Sequence, residues 1–83
     1  MKTNLSKYLV RIKIYSELLN ILDDDYLADP DEFRKRLTPT LAQDAMRTPK
    51  RNGRIRWKEF ITFLSDDGVK DLFWVLKNWA DEK

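Results

Sequence analysis

The chain has no cysteine and no histidine among its 83 residues, and only two glycines and three prolines. Without cysteine there is neither a disulfide framework nor a thiolate metal site. Without histidine as well, the usual general bases and nucleophiles reduce to carboxylates, lysines, tyrosines and three scattered serines, Ser6, Ser16 and Ser65. A bundle of this length also has little room for a pocket of ~300 Å³ or more, the low end for small-molecule sites. Neither catalysis nor a cofactor is expected. No stretch approaches the roughly 18–20 apolar residues of a membrane span. The start, Met1 to Lys7, lacks the apolar run and small-residue cleavage site of a signal peptide, and Arg11 and Lys13 interrupt the apolar residues that follow. These features predict a cytoplasmic chain.

What the chain does have is apolar bulk. Its hydrophobic fraction is 42%, including three Trp, four Phe and three Tyr. Such a composition supports one domain, residues 1–83, burying roughly 60–65% of its unfolded surface. The periodicity is helical almost throughout. Leu5, Tyr8, Ile12, Tyr15, Leu19 and Leu22 recur at spacings of three and four, predicting a first helix over about 4–22, with Thr3 or Asn4 as its cap. A second stripe, Val10, Ile14, Leu18 and Ile21, is displaced around the same helix. Two stripes mean either a central helix buried on both sides or one that also meets another chain, and in a small bundle burial is favoured.

Asp23-Asp24-Asp25 breaks the apolar pattern as a polar turn. Asp29-Pro30-Asp31-Glu32 then reads as cap, first-turn proline and capping-box acid. The short helix it starts carries Phe33 and Leu37 inward. Arg34, Lys35 and Arg36 fall near its C-terminal end, where they complement the helix dipole. Thr38-Pro39 repeats the signal and opens a helix over about 39–47, with Leu41, Ala42, Ala45 and Met46 apolar, which Thr48-Pro49 stops. Asn52-Gly53 is a turn, and Ile55 and Trp57 alternate with Arg54, Arg56 and Lys58 in a short extended piece. Helices over about 57–65 (Trp57, Phe60, Ile61, Leu64) and 68–80 (Val69, Leu72, Phe73, Leu76, Trp79, Ala80) complete the chain, separated by Ser65-Asp66-Asp67-Gly68. There is no internal repeat. The expected fold is an all-α, compact single-domain bundle of about five short helices.

The net charge of +2 conceals segregation. Residues 23–32 hold six acids and no base, and residues 47–58 hold six bases and no acid. Those bases are Arg47, Lys50, Arg51, Arg54, Arg56 and Lys58. A cationic loop with a fixed turn is suited to an anionic partner. Arg34, Lys35 and Arg36 extend the patch if the second helix lies alongside. Trp74 sits about a third of a turn or more off the inward stripe of the last helix, where the second stripe of the first helix or the N-terminal segment is expected to cover it, the alternative being that it anchors a partner. The acidic run lacks the glycine bend and distal glutamate of a metal loop, so capping and solubility explain it.

Thr48 to Glu59 resembles a twelve-residue EF-hand loop, with Gly53 at position six, Ile55 at eight, Glu59 at twelve and Phe60 following. That family's calcium function rests on oxygen ligands at positions one, three and five. Here those positions are Thr48, Lys50 and Asn52, and Arg54 and Arg56 follow. The cations exclude calcium, and only the shape of the motif carries over. In compact size, bipolar charge and lack of catalytic residues the chain also resembles the small accessory proteins that bacteriophages make against host machinery, a likeness no motif carries.

The function expected from these residues is a small, non-catalytic regulatory or inhibitory protein. It docks on an acidic macromolecular surface, most fittingly a protein, through the basic 47–58 loop with Trp74 or the second stripe as apolar anchor. The alternative is binding to the RNA or DNA backbone through the same segment. A homodimer through the first helix is a third arrangement.

Overall fold

The computed structural model describes residues 5–28 and 30–82. Five helices and two tight β-hairpins follow one another: α1 (Ser6–Leu19), β1 (Leu22–Asp23), β2 (Tyr26–Leu27), α2 (Pro30–Arg34), α3 (Pro39–Arg47), β3 (Lys50–Arg51), β4 (Arg54–Ile55), α4 (Trp57–Thr62) and α5 (Asp66–Asp81). The chain is therefore mostly helical rather than purely so. None of the described helices is long and apolar enough to cross a membrane.

The caps expected at Thr3, Asn4 and Asp29 fall outside the described residues. Where caps are described, local chemistry sets the boundary. Thr38 Oγ1 accepts from the Leu41 N–H at 3.2 Å, and α3 runs over the residues expected. Ser65 Oγ accepts from the Gly68 N–H at 3.0 Å, so α5 begins at Asp66 and not at Gly68. The Ser65–Gly68 segment expected to separate two helices is the N-terminus of the second one. At the other end of the chain, α1 stops earlier than its apolar pattern suggests, because Asn20 turns left-handed (φ 54°) after Leu19. The α4 helix likewise ends at Thr62 rather than near Ser65.

The polar turn expected at Asp23–Asp25 is a full hairpin. Leu22 pairs with Leu27 and Asp23 with Tyr26, and Asp24 supplies the positive φ (61°) of a two-residue loop. The second hairpin pairs Lys50 with Ile55 and Arg51 with Arg54 around Asn52 (φ 55°) and Gly53 (φ 75°). The two hairpins then join: Tyr26 bridges to Arg56, and the Trp57 N–H donates to the Asp25 carbonyl at 2.9 Å. The topology is thus helix–hairpin–helix twice over, closed by α5. No sequence repeat announces it.

One core fills the space between these units. Leu41, Leu72 and Leu76 are fully buried, with Ile12 and Phe60 nearly so. Phe33, Trp57 and Phe60 form an aromatic cluster with centroids 5.6–6.1 Å apart, joining α2 to α4 in edge-to-face and tilted contacts. The α1 and α5 helices lie against each other along their length. Their seam includes Phe73, which packs edge-on to Tyr8 at 5.3 Å and against Tyr15 at 6.1 Å. Two apolar expectations are corrected here. Met46 is 83% exposed rather than inward. On the second stripe of α1, Val10, Ile14 and Leu18 are 59, 45 and 70% exposed, and only Ile21, beyond the helix end, is buried. Ile14 lies two residues from Ile12, about 200° around the helix, so it points away from the core that Ile12 enters.

Candidate functional site

The basic segment is built as β3, the Asn52-Gly53 turn and β4, leading into α4. Its backbone is fixed by the turn and by the Tyr26–Arg56 bridge, so its side chains are displayed from a defined edge. That bridge also brings the acidic hairpin against the basic one. Arg54 Nη2 lies 3.5 Å from Asp23 Oδ2, and Arg56 Nη2 lies 3.7 Å from Asp25 Oδ2. Arg51 holds Glu59 through two hydrogen bonds, at 2.7 and 3.3 Å. Arg47 binds the buried carboxylate of Asp44. The two charged blocks, far apart in sequence, are neighbours in space. All four arginines of the segment are engaged within the chain. Among the described residues, Lys50 and Lys58 have no ion-pair partner.

The bond between Arg51 and Glu59 also settles the EF-hand likeness. Glu59 occupies the position that would present a carboxylate to a cation, and here it is spent on a guanidinium. That hydrogen bond and the charge behind it hold the Glu59 carboxyl below the usual glutamate range and raise the Arg51 guanidinium. Trp57 is 9% exposed and belongs to the aromatic cluster, so it offers no face to a base.

Arg34, Lys35 and Arg36 are divided by the turn after α2. Arg34 shares a shallow groove with Lys50 and pairs with Asp31 at 3.6 Å. Arg36 is turned the other way, bonded to Glu32 at 3.0 Å and Glu82 at 2.9 Å and stacked 4.5 Å over the Trp79 ring. Lys35 is exposed. Only Arg34 therefore extends the basic face of the hairpin.

Trp74 lies apart from that hairpin. It is 53% exposed, which corrects the expectation that the second stripe of α1 covers it. Its ring stands edge-on to Phe73 at 5.1 Å, in a groove of about 1060 Å³ between α1 and α5. The groove's charged lining is Lys7, Arg11, Lys70 and Lys77, with no carboxylate among its lining residues. Lys77 sits 5.9 Å from the Trp74 ring centre and bonds Asp81 at 3.1 Å, an exposed pair worth about 0.3–0.5 kcal/mol. Among the described residues, Lys7, Arg11 and Lys70 have no ion-pair partner. Val10 lines the same groove and leads onto the exposed stripe through Ile14 and Leu18. Sequence reasoning singled out Trp74 and the stripe but not these four cations. They are dispersed over residues 7–77 and become a cluster only when α1 and α5 pack. The signal was their i, i+4 and i, i+7 spacing beside each helix's apolar face.

A second cleft of about 600 Å³ opens between α1, the first hairpin and α4, over Ile12, Leu22, Trp57 and Ile61. The expectation of no cavity above ~300 Å³ is corrected, because the six-residue α4 is too short to close over α1. Its rim carries both signs, Lys13 and Lys58 with Glu17 and Asp25. Of the two hydroxyls in its wall, Ser16 donates to the Ile12 carbonyl at 2.7 Å and Thr62 to the Lys58 carbonyl at 2.8 Å. Comparison with protein-family models, with curated proteins and with solved structures finds no match to this chain.

Proposed function

We propose that this chain is a non-catalytic binding protein, a regulator or inhibitor, that docks on an acidic macromolecular partner through the outer face of α1 and α5. The observation that carries this reading is a half-exposed Trp74 in a groove lined by Lys7, Arg11, Lys70 and Lys77 and by no carboxylate. An aromatic anchor beside four cations, of which Lys7, Arg11 and Lys70 have no ion-pair partner among the described residues, is the composition of an interface centre that attracts acid. The basic hairpin is a weaker candidate, because Arg47, Arg51, Arg54 and Arg56 already face carboxylates of this chain. Lys50 and Lys58, which have no ion-pair partner among the described residues, leave the hairpin a secondary role apart from that groove. A protein partner is preferred to RNA or DNA, since the exposed aliphatic residues Val10, Ile14 and Leu18 beside the groove have no complement in a sugar-phosphate backbone.

Photo-crosslinking from two positions tests this directly. Benzoylphenylalanine replaces Trp74 in one variant and Asn52, at the hairpin tip, in another, and both are irradiated in the cells of origin. A protein adduct from position 74, absent from position 52, is the expected result. Adducts from position 52 alone place the contact on the hairpin, and nucleic-acid adducts from either position overturn the preference for protein.

A further inference from the structure

We infer that the element received by the α1–α5 groove is an amphipathic helix of the partner, apolar along one seam and carrying Asp or Glu on the flank that meets α5. This rests on the docking reading above and specifies its occupant. Val10, Ile14 and Leu18 are spaced four apart and form a single ridge about 12 Å long on α1. All three are exposed, and the ridge begins at the groove itself, where Val10 and Trp74 are both lining residues. A groove between two packed helices, continued by an i±4 ridge, is the seat into which a third helix lays its apolar face. The cations then specify one flank of that helix. Arg11 follows Val10 by one residue, about 100° round α1 toward α5, so Lys7 and Arg11 stand with Lys70 and Lys77 on a single flank of the ridge, and carboxylates are needed on that side of the apolar seam.

The same observations disfavour other occupants. A nucleic-acid strand satisfies the cations and can stack on Trp74, but its sugar-phosphate backbone has no complement for three exposed aliphatic side chains. A second copy of this chain satisfies the ridge but not the charges. In an antiparallel two-fold contact centred on Ile14, Lys7 and Arg11 of the two copies fall on the same flank, beside Lys70 and Lys77.

The test uses fluorescence anisotropy of defined probes titrated with the full chain. The first probe is a helical peptide of about 18 residues, roughly 27 Å long, with Leu at alternating three and four spacing and Glu along one flank. The others are the same peptide with Lys in place of Glu, an unstructured polyglutamate, and an oligothymidylate. Binding of the Leu/Glu peptide is expected to exceed that of the other three by about ten-fold or more. Ile14→Glu with Leu18→Glu should weaken it by a similar factor while the far-UV spectrum and melting temperature stay unchanged. If polyglutamate or the oligonucleotide binds as tightly and the Ile14/Leu18 variant is indifferent, the helix inference fails while acid recognition stands. If no acidic probe binds, or Lys70→Glu with Lys77→Glu changes nothing, the docking reading falls with it. A concentration-dependent dimer in sedimentation, dissolved by Ile14→Glu, makes a second copy the occupant and overturns the inference.

Discussion

At the scale of single residues, the most demanding position is Asp44. It is 2% exposed, and its carboxylate accepts from the Ser65 N–H and Ser65 Oγ, both at 3.1 Å, while Arg47 binds the other oxygen. The negative charge therefore sits at the N-terminus of α5, where the helix dipole and free N–H groups favour it. Gly68 makes room for it: a Cβ there would overlap the Asp44 carboxylate. Replacing Gly68 by Ala gains up to about 1 kcal/mol in helix propensity but overpacks a closed site at a cost of about 1–3 kcal/mol. The clash outweighs the propensity, so Gly68→Ala should lower the urea midpoint. Asp44→Ala should cost about 1–3 kcal/mol in the same measurement, by leaving the Ser65 N–H without its acceptor. Glu59 offers a pH-dependent counterpart at the surface. Because the hydrogen bond from Arg51 lowers its folded-state pKa, its stabilising contribution is complete above the ordinary glutamate value of about 4.3. It is lost as pH falls through the lower folded value. In a carboxyl NMR titration Glu59 should therefore change at lower pH than an ordinary glutamate, and Arg51→Gln should move it back up.

At the scale of elements, legibility followed locality. The α3 helix was readable residue for residue because Thr38, Pro39 and the Thr48-Pro49 stop act within a turn of the boundary. The Asn52-Gly53 turn was readable for the same reason, since both of its residues are at ease with positive φ. The first hairpin was not, because Leu22–Asp23 and Tyr26–Leu27 are two residues each and carry no strand pattern. Their pairing is completed from outside, by Arg56 and the Trp57 N–H some thirty residues on. Charge misled in the same way. Six acids and six bases in separate blocks read as a bipolar surface, whereas the bridge between the hairpins folds one block onto the other. The ion pairs themselves are exposed and worth at most about 1 kcal/mol each, so the backbone of the turn matters more than the charges it displays. Gly53→Ala, at φ 75° with open space around it, should destabilise by about 1–2 kcal/mol through left-handed strain alone. Arg54→Ala should cost less than about 1 kcal/mol. Thermal melts of the two variants side by side would reverse this ranking if the charges, and not the turn, held the hairpins together.

At the scale of the whole molecule, the helical periodicity of α1 gives two stripes with the same spacing, and spacing does not reveal which of them is covered. Only the full packing decides, because α5 meets one side of α1, whereas Val10, Ile14 and Leu18 on the other side stay exposed among the described residues. The consequence is a helix whose two faces answer to different free energies. Ile12 is 1% exposed, and its truncation to Ala removes buried methylenes and leaves a cavity, at a cost of about 2–5 kcal/mol. Ile14 is 45% exposed on the opposite face, and Ile14→Ser should leave stability within about 0.5 kcal/mol. The contrast is measurable in one urea-unfolding experiment on the two variants. Equal losses would mean that the outer face of α1 is covered in solution, by a second copy or otherwise. A large loss at position 12 beside none at position 14 leaves Val10, Ile14 and Leu18 without a role in folding. Three exposed aliphatic residues on one ridge, next to a groove lined by Lys7, Arg11, Lys70 and Lys77, are then free to serve the docking proposed above.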